Sequence, residues 1–534
     1  MHPALPQPPH VGVVVIGYND AAHVTDAVRS ALAQGAAVRE VVAVDDCSTD
    51  GSAEALARLA AGEPRLKVLR RPVNSGGCGS PRNTGMDAVT APYVMFLDSD
   101  DVLPPGAVDA LLAAATGVRA EVAGGLCVRR ELPSGREQPW QAPLYKTHAV
   151  LARPSQRPRL VHDTLCVNKL YRTDFLREHG IRFPEGRFLY EDFVFTARVL
   201  AAGPRIALVP DPVYVWHVRR SADRLSLSLD RARIDNWRAR TQACALAYEI
   251  LLSAGQKELA RAARTKFLDH ELRIYVRELE ERDAHYRRAW WAHTRAYLAA
   301  YDAADWERDP ATPGRLIARV VLESPEPRDL PRLRELAALP ARLLPPYARA
   351  PDGTPVWSAD LPQVTLAPFR TRPVRVLPLA VEAELRPRAR GTRVRLRLHE
   401  LYGRVARAGP ELVEVEWRRR EGGPPAQRRT AALLRAAGGD CWTAEASVDP
   451  GALGAGTWDL RLRVRFAGGA HRDVTAHAVA GAGLLRPRAV LSARHGVLLV
   501  RPYATRSGAL ALRVVVGIRG VVQLARGRLR RLLH

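Results

Sequence analysis

A chain of 534 residues is too long for one ordinary hydrophobic core, so the sequence predicts two to four domains. Its fractions of hydrophobic and charged residues, 47% and 25%, are typical of a soluble globular protein. No run of eighteen apolar residues occurs, which excludes a typical membrane-spanning helix, and the N-terminal segment MHPALPQPPH lacks the features of a signal peptide. The expected location is therefore the cytoplasm.

The net charge of +24 comes mostly from arginine and favours polyanionic partners: nucleic acid, anionic lipid or a phosphate-rich polymer. A genomic bias toward arginine would explain the choice of Arg over Lys but not the excess over acidic residues. The six cysteines form no CxxC pair and suit neither a disulfide framework nor a zinc site, so we expect reduced thiols. They are Cys47, Cys78, Cys127, Cys166, Cys244 and Cys441.

The first part of the chain alternates between buried-strand and helix patterns, which predicts a parallel sheet covered on both faces. Predicted strands cover residues 11–16, 38–44, 66–69 and 93–97, and predicted helices follow near residues 24–32, 56–60, 81–89 and 108–115. Near residue 225 the pattern changes. Residues 232–344 have helical spacing and almost no β-branched runs, and a proline-rich linker follows.

Beyond the linker the hydrophobic period becomes two, as in Val394, Leu396 and Leu398, and several short strands predict an immunoglobulin-like β-sandwich. A further strand is expected to begin at Asp473. The predicted organisation is a catalytic domain (1–225), a helical region (226–345), a β-sandwich (346–485) and a basic C-terminal segment (486–534).

The last segment contains eleven arginines and no acidic residue after Asp473. Five apolar residues there could share one helix face, which indicates a helix on a membrane surface. Gly527 weakens that pattern, and a frayed basic tail explains it equally well. The five residues are Val522, Ala525, Leu529, Leu532 and Leu533.

Polar motifs follow the predicted strands at their carboxyl ends, where open α/β sheets bind ligands. Tyr18, after the first strand, could stack on a nucleobase. After the second strand come Asp45 and Asp46, and a carboxylate there could accept the imide N–H of uracil. Helix capping by Ser48, Asp50 or Ser52 explains part of this motif but not the adjacent carboxylates.

Two more motifs follow in the same part of the chain. The segment from Asn74 to Gly85 is rich in glycine, which lets the backbone approach a ligand, and Arg82 would lie near a helix start that favours anions; a flexible surface loop is the alternative. Asp98, Asp100 and Asp101 follow the fourth strand. A D-x-D arrangement can hold Mg²⁺ or Mn²⁺ together with substrate phosphates, whereas a lone one would more simply be a solvated acidic turn.

In this order and spacing the four motifs resemble those of the family 2 glycosyltransferases, which have the GT-A nucleotide-diphosphosugar fold. The resemblance covers residues 11–225. It implies that Asp46 contacts the base, that Asn74 and Arg82 lie near the nucleotide, that Asp98 lies near the ribose or sugar, and that Asp100 binds the metal. Cys47 and Ile16 depart from the usual pattern, and we expect only local effects.

A fifth motif, Tyr190 to Phe195, resembles the acceptor motif of the same family. It implies that Asp192 is the general base of an inverting transfer, since a carboxylate must take the proton of the acceptor hydroxyl. Glu191 would orient the acceptor, or be the base itself. The alternative is an acidic residue favoured by the helix dipole.

Residues 215–221 correspond to a loop over the diphosphate in related enzymes. His217 could be a second metal ligand, and Arg219 or Arg220 could bind phosphate. A plain exposed loop is the competing interpretation.

The order of domains resembles bacterial enzymes that decorate wall teichoic acid. This resemblance implies a nucleotide-sugar donor, most simply a UDP-sugar, an anionic glycopolymer or lipid-linked acceptor, peripheral contact with the inner membrane face, and homo-oligomers through the C-terminal β domain. A capsule or exopolysaccharide transferase and a catalytically dead polysaccharide-binding scaffold are the alternatives. A nucleic-acid partner is not expected, because no basic-aromatic recognition motif occurs.

Overall fold

The structure is a computed structural model, and it describes residues 9–219, 230–309, 312–388, 391–479, 485–492 and 496–516. The chain divides into two compact units, Met1–Phe267 and Leu268–His534. No helix within the described ranges is long and apolar enough to cross a membrane.

The first unit consists of one sheet and the helices that cover it. Its strands are β1 (Val11–Gly17), β2 (Val38–Asp45), β3 (Leu66–Arg70), β4 (Tyr93–Asp98), β5 (Val122–Leu132), β6 (Arg136–Trp140), β7 (Ala149–Leu151), β8 (Lys169–Arg172) and β9 (Ile206–Arg219). Its helices are α1 (Val24–Leu32), α2 (Ser52–Ala60), α3 (Gly79–Ala88), α4 (Ala107–Gly117), α5 (Thr173–Glu178), α6 (Glu191–Ala201), α7 (Ile234–Ser253) and α8 (Lys257–Lys266). The predicted strands and helices of residues 11–115 are all present.

The sheet is parallel only in part. Its order is β3-β2-β1-β4-β8-β5-β9-β7, with β6 paired to β5. β1 to β4 run parallel as predicted, and β1 is an unbroken buried run because both faces of the sheet are covered. β8, however, lies antiparallel to both β4 and β5. The parallel order predicted from the strands of residues 11–97 therefore holds for β1 to β4. Beyond β4 the sheet is mixed, because β5 and β9 run parallel whereas β8 does not.

Glycine allows α3 to lie directly on the sheet and on the loop before α6. A Cβ atom at Gly85 would overlap the side chain of Val14 on β1, and one at Gly79 would overlap the carbonyl oxygen of Pro184. Only a residue without a side chain fits at these positions. The glycine-rich segment is thus a packing surface, which fixes where α3 presents Arg82.

Helices α7 and α8 belong to the first unit, since α7 packs on α6 and α8 packs on α7 and on the turn Pro158–His162. The division between the units therefore falls inside the segment 226–345 that the sequence analysis treats as one helical region. The apolar positions predicted at helical spacing form these helices and those of the second unit.

The second unit begins with helices and continues as strands. Its helices are α9 (Leu272–Leu279), α10 (Ala284–Leu298), α11 (Ala303–Glu307), α12 (Pro313–Glu323), α13 (Leu330–Ala337), α14 (Arg404–Ala408) and α15 (Pro450–Leu453). Its strands are β10 (Ala348–Arg349), β11 (Pro355–Val356), β12 (Val381–Arg388), β13 (Gly391–His399), β14 (Pro410–Arg419), β15 (Pro425–Ala432), β16 (Leu434–Arg435), β17 (Cys441–Val448), β18 (Gly456–Phe466), β19 (His471–Val474), β20 (His477–Ala478), β21 (Arg488–Ser492), β22 (Gly496–Ala504) and β23 (Leu510–Val516).

These strands form the β-sandwich that the period of two predicts. One sheet has the order β16-β17-β13-β12-β20, and the other has β15-β14-β18-β23-β22-β21, with β19 on β18. The strand expected to begin at Asp473 instead starts at His471, where Arg463 pairs with Asp473 across the strands. β21 to β23 lie beyond the expected boundary at 485, so the sheet includes part of the basic segment. The suggested membrane helix near residues 522–533 lies outside the described residues.

A buried ionic cluster ties α13 to this β region. The side chains of Glu335 and Arg342 are fully buried, and Arg342 Nε donates to Glu335 Oε2 at 2.7 Å. His477 Nδ1 lies 3.0 Å from Glu335 Oε1, and Arg342 also contacts Thr475 and the carbonyl of Ser507. Each charge compensates the other in a site that water does not reach.

We expect Gly85→Ala to lower the free energy of unfolding by about 1–3 kcal/mol, because the added methyl overpacks the contact between α3 and β1. Urea denaturation measures this change. Gly117→Ala is the matched control, since a Cβ there meets open space. Equal effects of the two substitutions would contradict the packing role.

We expect Arg342→Leu to destabilise the second unit by about 3–5 kcal/mol, because it leaves the buried Glu335 carboxylate without its cation. Calorimetric unfolding measures the change. The control is Arg463→Leu, which removes an exposed ion pair with Asp473 and should cost no more than about 1 kcal/mol. If Arg342→Leu lowers the free energy of unfolding no more than Arg463→Leu does, Arg342 does not compensate the buried charge of Glu335.

Candidate active site

Asp46 is the centre of the first group of predicted site residues. It follows β2 and is buried, and its Oδ2 accepts hydrogen bonds from Asn74 Nδ2 at 3.0 Å and from the backbone N–H and hydroxyl of Ser75 at 3.0 and 2.8 Å. Arg71 Nε lies 2.9 Å from its Oδ1. The structure therefore brings Asp46 and Asn74 together as the resemblance implies, and Asp46 also holds the loop that leads to α3.

The residues between β2 and α2 join that loop to the one after β1. Asp50 Oδ1 accepts from the backbone N–H of Ser52, and its Oδ2 accepts from that of Ala21. The hydroxyl of Ser48 accepts from the backbone N–H of Asn19. The capping interpretation is wrong for the cap position itself, because the N-cap of α2 is Gly51 and no side chain caps it. Asp50, one residue earlier, bonds the first N–H of the helix. Tyr18 stands beside these loops with 39% of its surface exposed, where its ring is free to stack on a ligand.

Arg82 lies at the centre of the second group. It is only 2% exposed, and its Nη2 donates to Asp98 Oδ1 at 2.7 Å. Its Nη1 lies 2.5 Å from Glu191 Oε1 and 3.1 Å from Asp192 Oδ1. One guanidinium thus connects the carboxyl end of β4 with the N-terminus of α6, so the predicted donor-side acid and the predicted acceptor-side pair meet in one cluster.

Burial and mutual repulsion make the acidic pair unusually basic. Burial, then the neighbouring Asp192, raises the pKa of Glu191 to about 7, although Arg82 opposes the shift. Burial also raises the pKa of Asp192, again against the pull of Arg82. A carboxyl group whose pKa is raised is a stronger base when ionised and is better suited to accept a proton during a reaction.

Cys166 is a neighbour of the pair that the motifs did not indicate. Its backbone N–H points to Asp192 Oδ2 over 3.5 Å, while Arg82 engages the other oxygen of Asp192. The thiol of Cys166 also contacts the Asp192 carboxyl group, and backbone and thiol together lower the pKa of Asp192 against the effect of burial. Sequence alone offered no signal, because Cys166 lies in a loop 26 residues before Asp192.

The acidic turn after β4 separates its three carboxylates. Asp98 turns to Arg82, whereas the Asp100 side chain is 47% exposed, with Arg219 Nη1 3.3 Å from its Oδ2. His217 Nδ1 lies 3.0 Å from the backbone oxygen of Asp100. Burial of its inner part, followed by repulsion from Asp98 and Asp20, raises the pKa of Asp100 to about 6.

Asp101 is a structural member of this turn that the sequence did not distinguish. It is buried, and its carboxylate accepts from the Tyr214 hydroxyl and from the backbone N–H of His217, both at 2.7 Å. These bonds attach β9 to the acidic turn and so bring His217 and Arg219 to Asp100. Three acids in four residues were a usable signal that one of them must be neutralised inside the fold. Arg220 lies outside the described residues.

No group of three or more His, Cys, Asp or Glu in the described parts of the chain is arranged to hold a metal ion by itself. The pairing of Asp100 with His217 still suits a cation that takes its remaining ligands from a substrate, because Mg²⁺ commonly binds through one or two protein groups plus phosphate oxygens. The accumulated negative charge around Asp100 is the condition that such a cation would relieve.

Comparison with known proteins finds a family and relatives for the N-terminal part of the chain. Residues 12–180 match the profile of Glycosyl transferase family 2. Succinoglycan biosynthesis protein ExoO of Rhizobium meliloti is 30% identical over 239 residues, which are 43% of this chain and 66% of that protein. Poly(ribitol-phosphate) beta-N-acetylglucosaminyltransferase TarS of Staphylococcus aureus is 30% identical over 216 residues, 40% of this chain and 36% of that protein.

The solved structure of S. aureus TarS is similar over a longer range. It aligns with a TM-score of 0.53 and 18% identity over 95% of this chain and 85% of that chain, a likeness that concerns the fold alone. The profile match ends within the first unit, and the chain spans less than two thirds of the length of these two relatives. The match to this family model shows that the N-terminal part of the chain contains a glycosyltransferase family 2 domain.

Proposed function

We propose that the protein transfers a sugar, with inversion, from a UDP-sugar to a hydroxyl group of a cell-envelope polymer. The observation that carries the proposal is the cluster at Arg82, which joins the donor-side acid Asp98 to the acid pair Glu191 and Asp192. Inverting transfer needs a donor subsite and a general base side by side, and this cluster supplies both at one edge of the sheet.

Asp192 is the proposed base. Its Oδ1 is held by Arg82, its Oδ2 lies 3.5 Å from the Cys166 N–H, and the Cys166 thiol also contacts the carboxyl group. Oδ2 is the oxygen not bonded to Arg82, and it is the proposed proton acceptor. As the acceptor oxygen attacks the anomeric carbon, its proton passes to Oδ2 and the nucleoside diphosphate leaves from the opposite face, which inverts the configuration. Glu191 orients the acceptor hydroxyl.

The donor is bound by residues around the first two strands. Asp46 accepts from the base, Tyr18 stacks on it, and Asn74 and Asp98 contact the nucleoside and sugar. Arg219, already 3.3 Å from Asp100, is placed to bind a phosphate oxygen, with Arg220 as a second candidate. A carboxylate facing the base favours uracil, which offers an N–H donor.

A divalent cation, Mn²⁺ or Mg²⁺, completes the donor site in this proposal. Asp100 and His217 would hold it. When bound, it supplies positive charge that stabilises the leaving diphosphate. Asp101, bonded to Tyr214 and to the backbone of His217, keeps Asp100 and His217 in place.

The proposed acceptor is a teichoic-acid-like polyol phosphate. The net charge of +24 supports this, since a basic surface attracts a polyanion, and the named activity of the relative TarS is of this kind. Similarity to ExoO over 66% of that protein favours a second candidate, an exopolysaccharide transferase acting on a lipid-linked glycan. Undiminished activity on a phosphate-free acceptor would select the second.

The setting of the reaction belongs to the same proposal. A lipid-linked or membrane-attached acceptor would place the protein on the inner face of the membrane as a peripheral protein. The C-terminal β-sandwich is the proposed site of homo-oligomer formation. Sedimentation of the purified chain, alone and with anionic vesicles, tests both points.

We expect Asp192→Asn to lower kcat by about 10²–10⁴-fold, because an amide cannot accept the proton. Donor affinity, measured by titration calorimetry with UDP, should change by no more than about threefold, a factor below 1 kcal/mol. Glu191→Gln is the matched comparison at the neighbouring carboxyl. If Asp192→Asn transfers sugar at a near-normal rate while Glu191→Gln does not, Glu191 is the base.

We expect Asp100→Ala to weaken Mn²⁺-dependent binding of a UDP-sugar by about tenfold or more, because the cation loses its carboxylate ligand. A thermal-shift series with UDP-, GDP-, CDP- and dTDP-sugars, with and without Mn²⁺, measures the binding. Asp211→Ala, at an exposed position on β9, is the control. A metal-dependent shift that survives in Asp100→Ala would remove Asp100 from the metal site, and no shift with any nucleotide would favour the scaffold alternative.

A further inference from the structure

The contacts of Arg82 differ from those expected of an arginine that binds a phosphate group of the donor. Its side chain is 2% exposed, and both terminal nitrogens are engaged by carboxylates at 2.5 to 3.1 Å. A phosphate oxygen could reach the guanidinium only by displacing one of three carboxylates. The bonds made within the protein therefore define what Arg82 does before any donor binds.

Three phenylalanine rings pack together next to the guanidinium group and fix the geometry of the cluster. The guanidinium lies over the ring of Phe183, 5.3 Å from the ring centroid. The rings of Phe183 and Phe195 are stacked, with 3.9 Å between their centroids and 2° between their planes. Phe96 meets both rings edge-on, at 5.2 and 5.8 Å. Phe195 is three residues after Asp192, and Phe96 is two residues before Asp98. The same rings that support Arg82 thus anchor the two backbone segments whose carboxylates it binds.

We propose that Arg82 is a positioning residue for the general base: it holds Asp192 and Glu191 at a fixed distance from Asp98 and balances their charge so that Asp192 is ionised when the acceptor arrives. This role rests on the proposed function. It differs from a contact with the nucleotide, which the sequence resemblance implies for the same residue.

Arg82 is the cation that directly contacts both members of the pair. The groups around them include Asp98, the thiols of Cys78 and Cys166, and the phenol of Tyr171. Two further cations, Arg240 and Lys266, lie over the flanking rings of Tyr190 and Phe193 at 4.3 and 4.1 Å. Burial raises the pKa of both thiols and of the phenol, so these three groups are neutral near pH 7. Asp98 adds negative charge. Arg82 lowers the pKa of both carboxyl groups, and without this contact burial would favour the protonated, inactive form of the pair.

The test compares Arg82→Gln, which removes the charge, with Arg82→Lys, which keeps a charge but cannot fork between two sides. In Arg82→Gln we expect the acidic limb of the kcat–pH profile to move up by about 1–3 pH units, the usual effect of losing a close opposite charge. In Arg82→Lys the acidic limb should lie close to its wild-type pH, while kcat stays low. UDP affinity should change by less than about threefold in both variants.

Arg71→Lys is the matched control, because Arg71 bonds Asp46 and, at 2.7 Å, the Thr84 hydroxyl on the donor side. It should weaken UDP binding and leave the acidic limb in place. The proposal is overturned if Arg82→Gln loses UDP affinity by about tenfold or more with an unmoved acidic limb, since Arg82 would then be a donor ligand. If Arg82→Gln does not fold, Arg82→Lys is compared with Arg71→Lys instead. The proposal is overturned if these two variants have the same acidic limb in the kcat–pH profile and the same UDP affinity.

A second readout does not require transfer. The pKa of Glu191 is raised from 4.5 to about 7 in the folded chain, so its contribution to stability is full below pH 4.5 and is lost as the pH rises through 7. Removing Arg82 raises that pKa further, and the loss should occur at higher pH in Arg82→Gln than in the wild type or Arg71→Lys. Identical pH profiles of unfolding temperature in all three overturn the proposal. A wild type that transfers no sugar, with shifted profiles, refutes only the proposed function.

Discussion

Three carboxylates share one buried guanidinium, and the geometry of the candidate active site depends on this arrangement. Asp98 ends a central strand, whereas Glu191 and Asp192 begin a helix more than ninety positions later, and Arg82 holds all three. A cation buried among acids is stable only when its hydrogen bonds are made, so the fold must bring these segments to within a few ångströms of one another. The sheet order, the glycine contacts of α3 and the phenylalanine rings all serve that requirement.

The sequence predicted the elements that are set by local pattern. Continuous apolar runs identified β1 to β4, and alternation identified the strands around Val394 and Trp458. The motifs also assigned Asp46 and Asn74 to the same donor side, although the hydrogen bond between them is known only from the structure. The partners of Arg82 could not be predicted in the same way, because Glu191 is 109 positions away and meets it through the tertiary fold. The antiparallel β8 was missed for the same reason, since no periodicity records the direction of a short strand.

In the second unit, too, the sequence predicted local structure but not contacts between residues far apart in the chain. The period of two predicted its sandwich, yet Glu335, Arg342 and His477 resemble ordinary surface charges in the sequence and form a buried cluster in the structure. Many other arginines lie on strand faces opposite acidic residues, as Arg463 lies opposite Asp473. Charge that is neutralised in such pairs does not attract a polymer. The net excess of positive charge therefore matters more for the proposed acceptor than the total count of arginines.

The close contact of α3 with the loop before α6 limits how this fold can be recombined. Gly79 admits the backbone at Pro184, and Phe183 supports Arg82, so the donor half and the acceptor half are fitted to each other residue by residue. A chimaera that took residues up to β4 from one parent and the rest from another would pair an α3 with a foreign Phe183 and Pro184. Acceptor specificity should therefore be exchanged only in hybrids that carry α3, the 183–188 loop and α6 from a single parent.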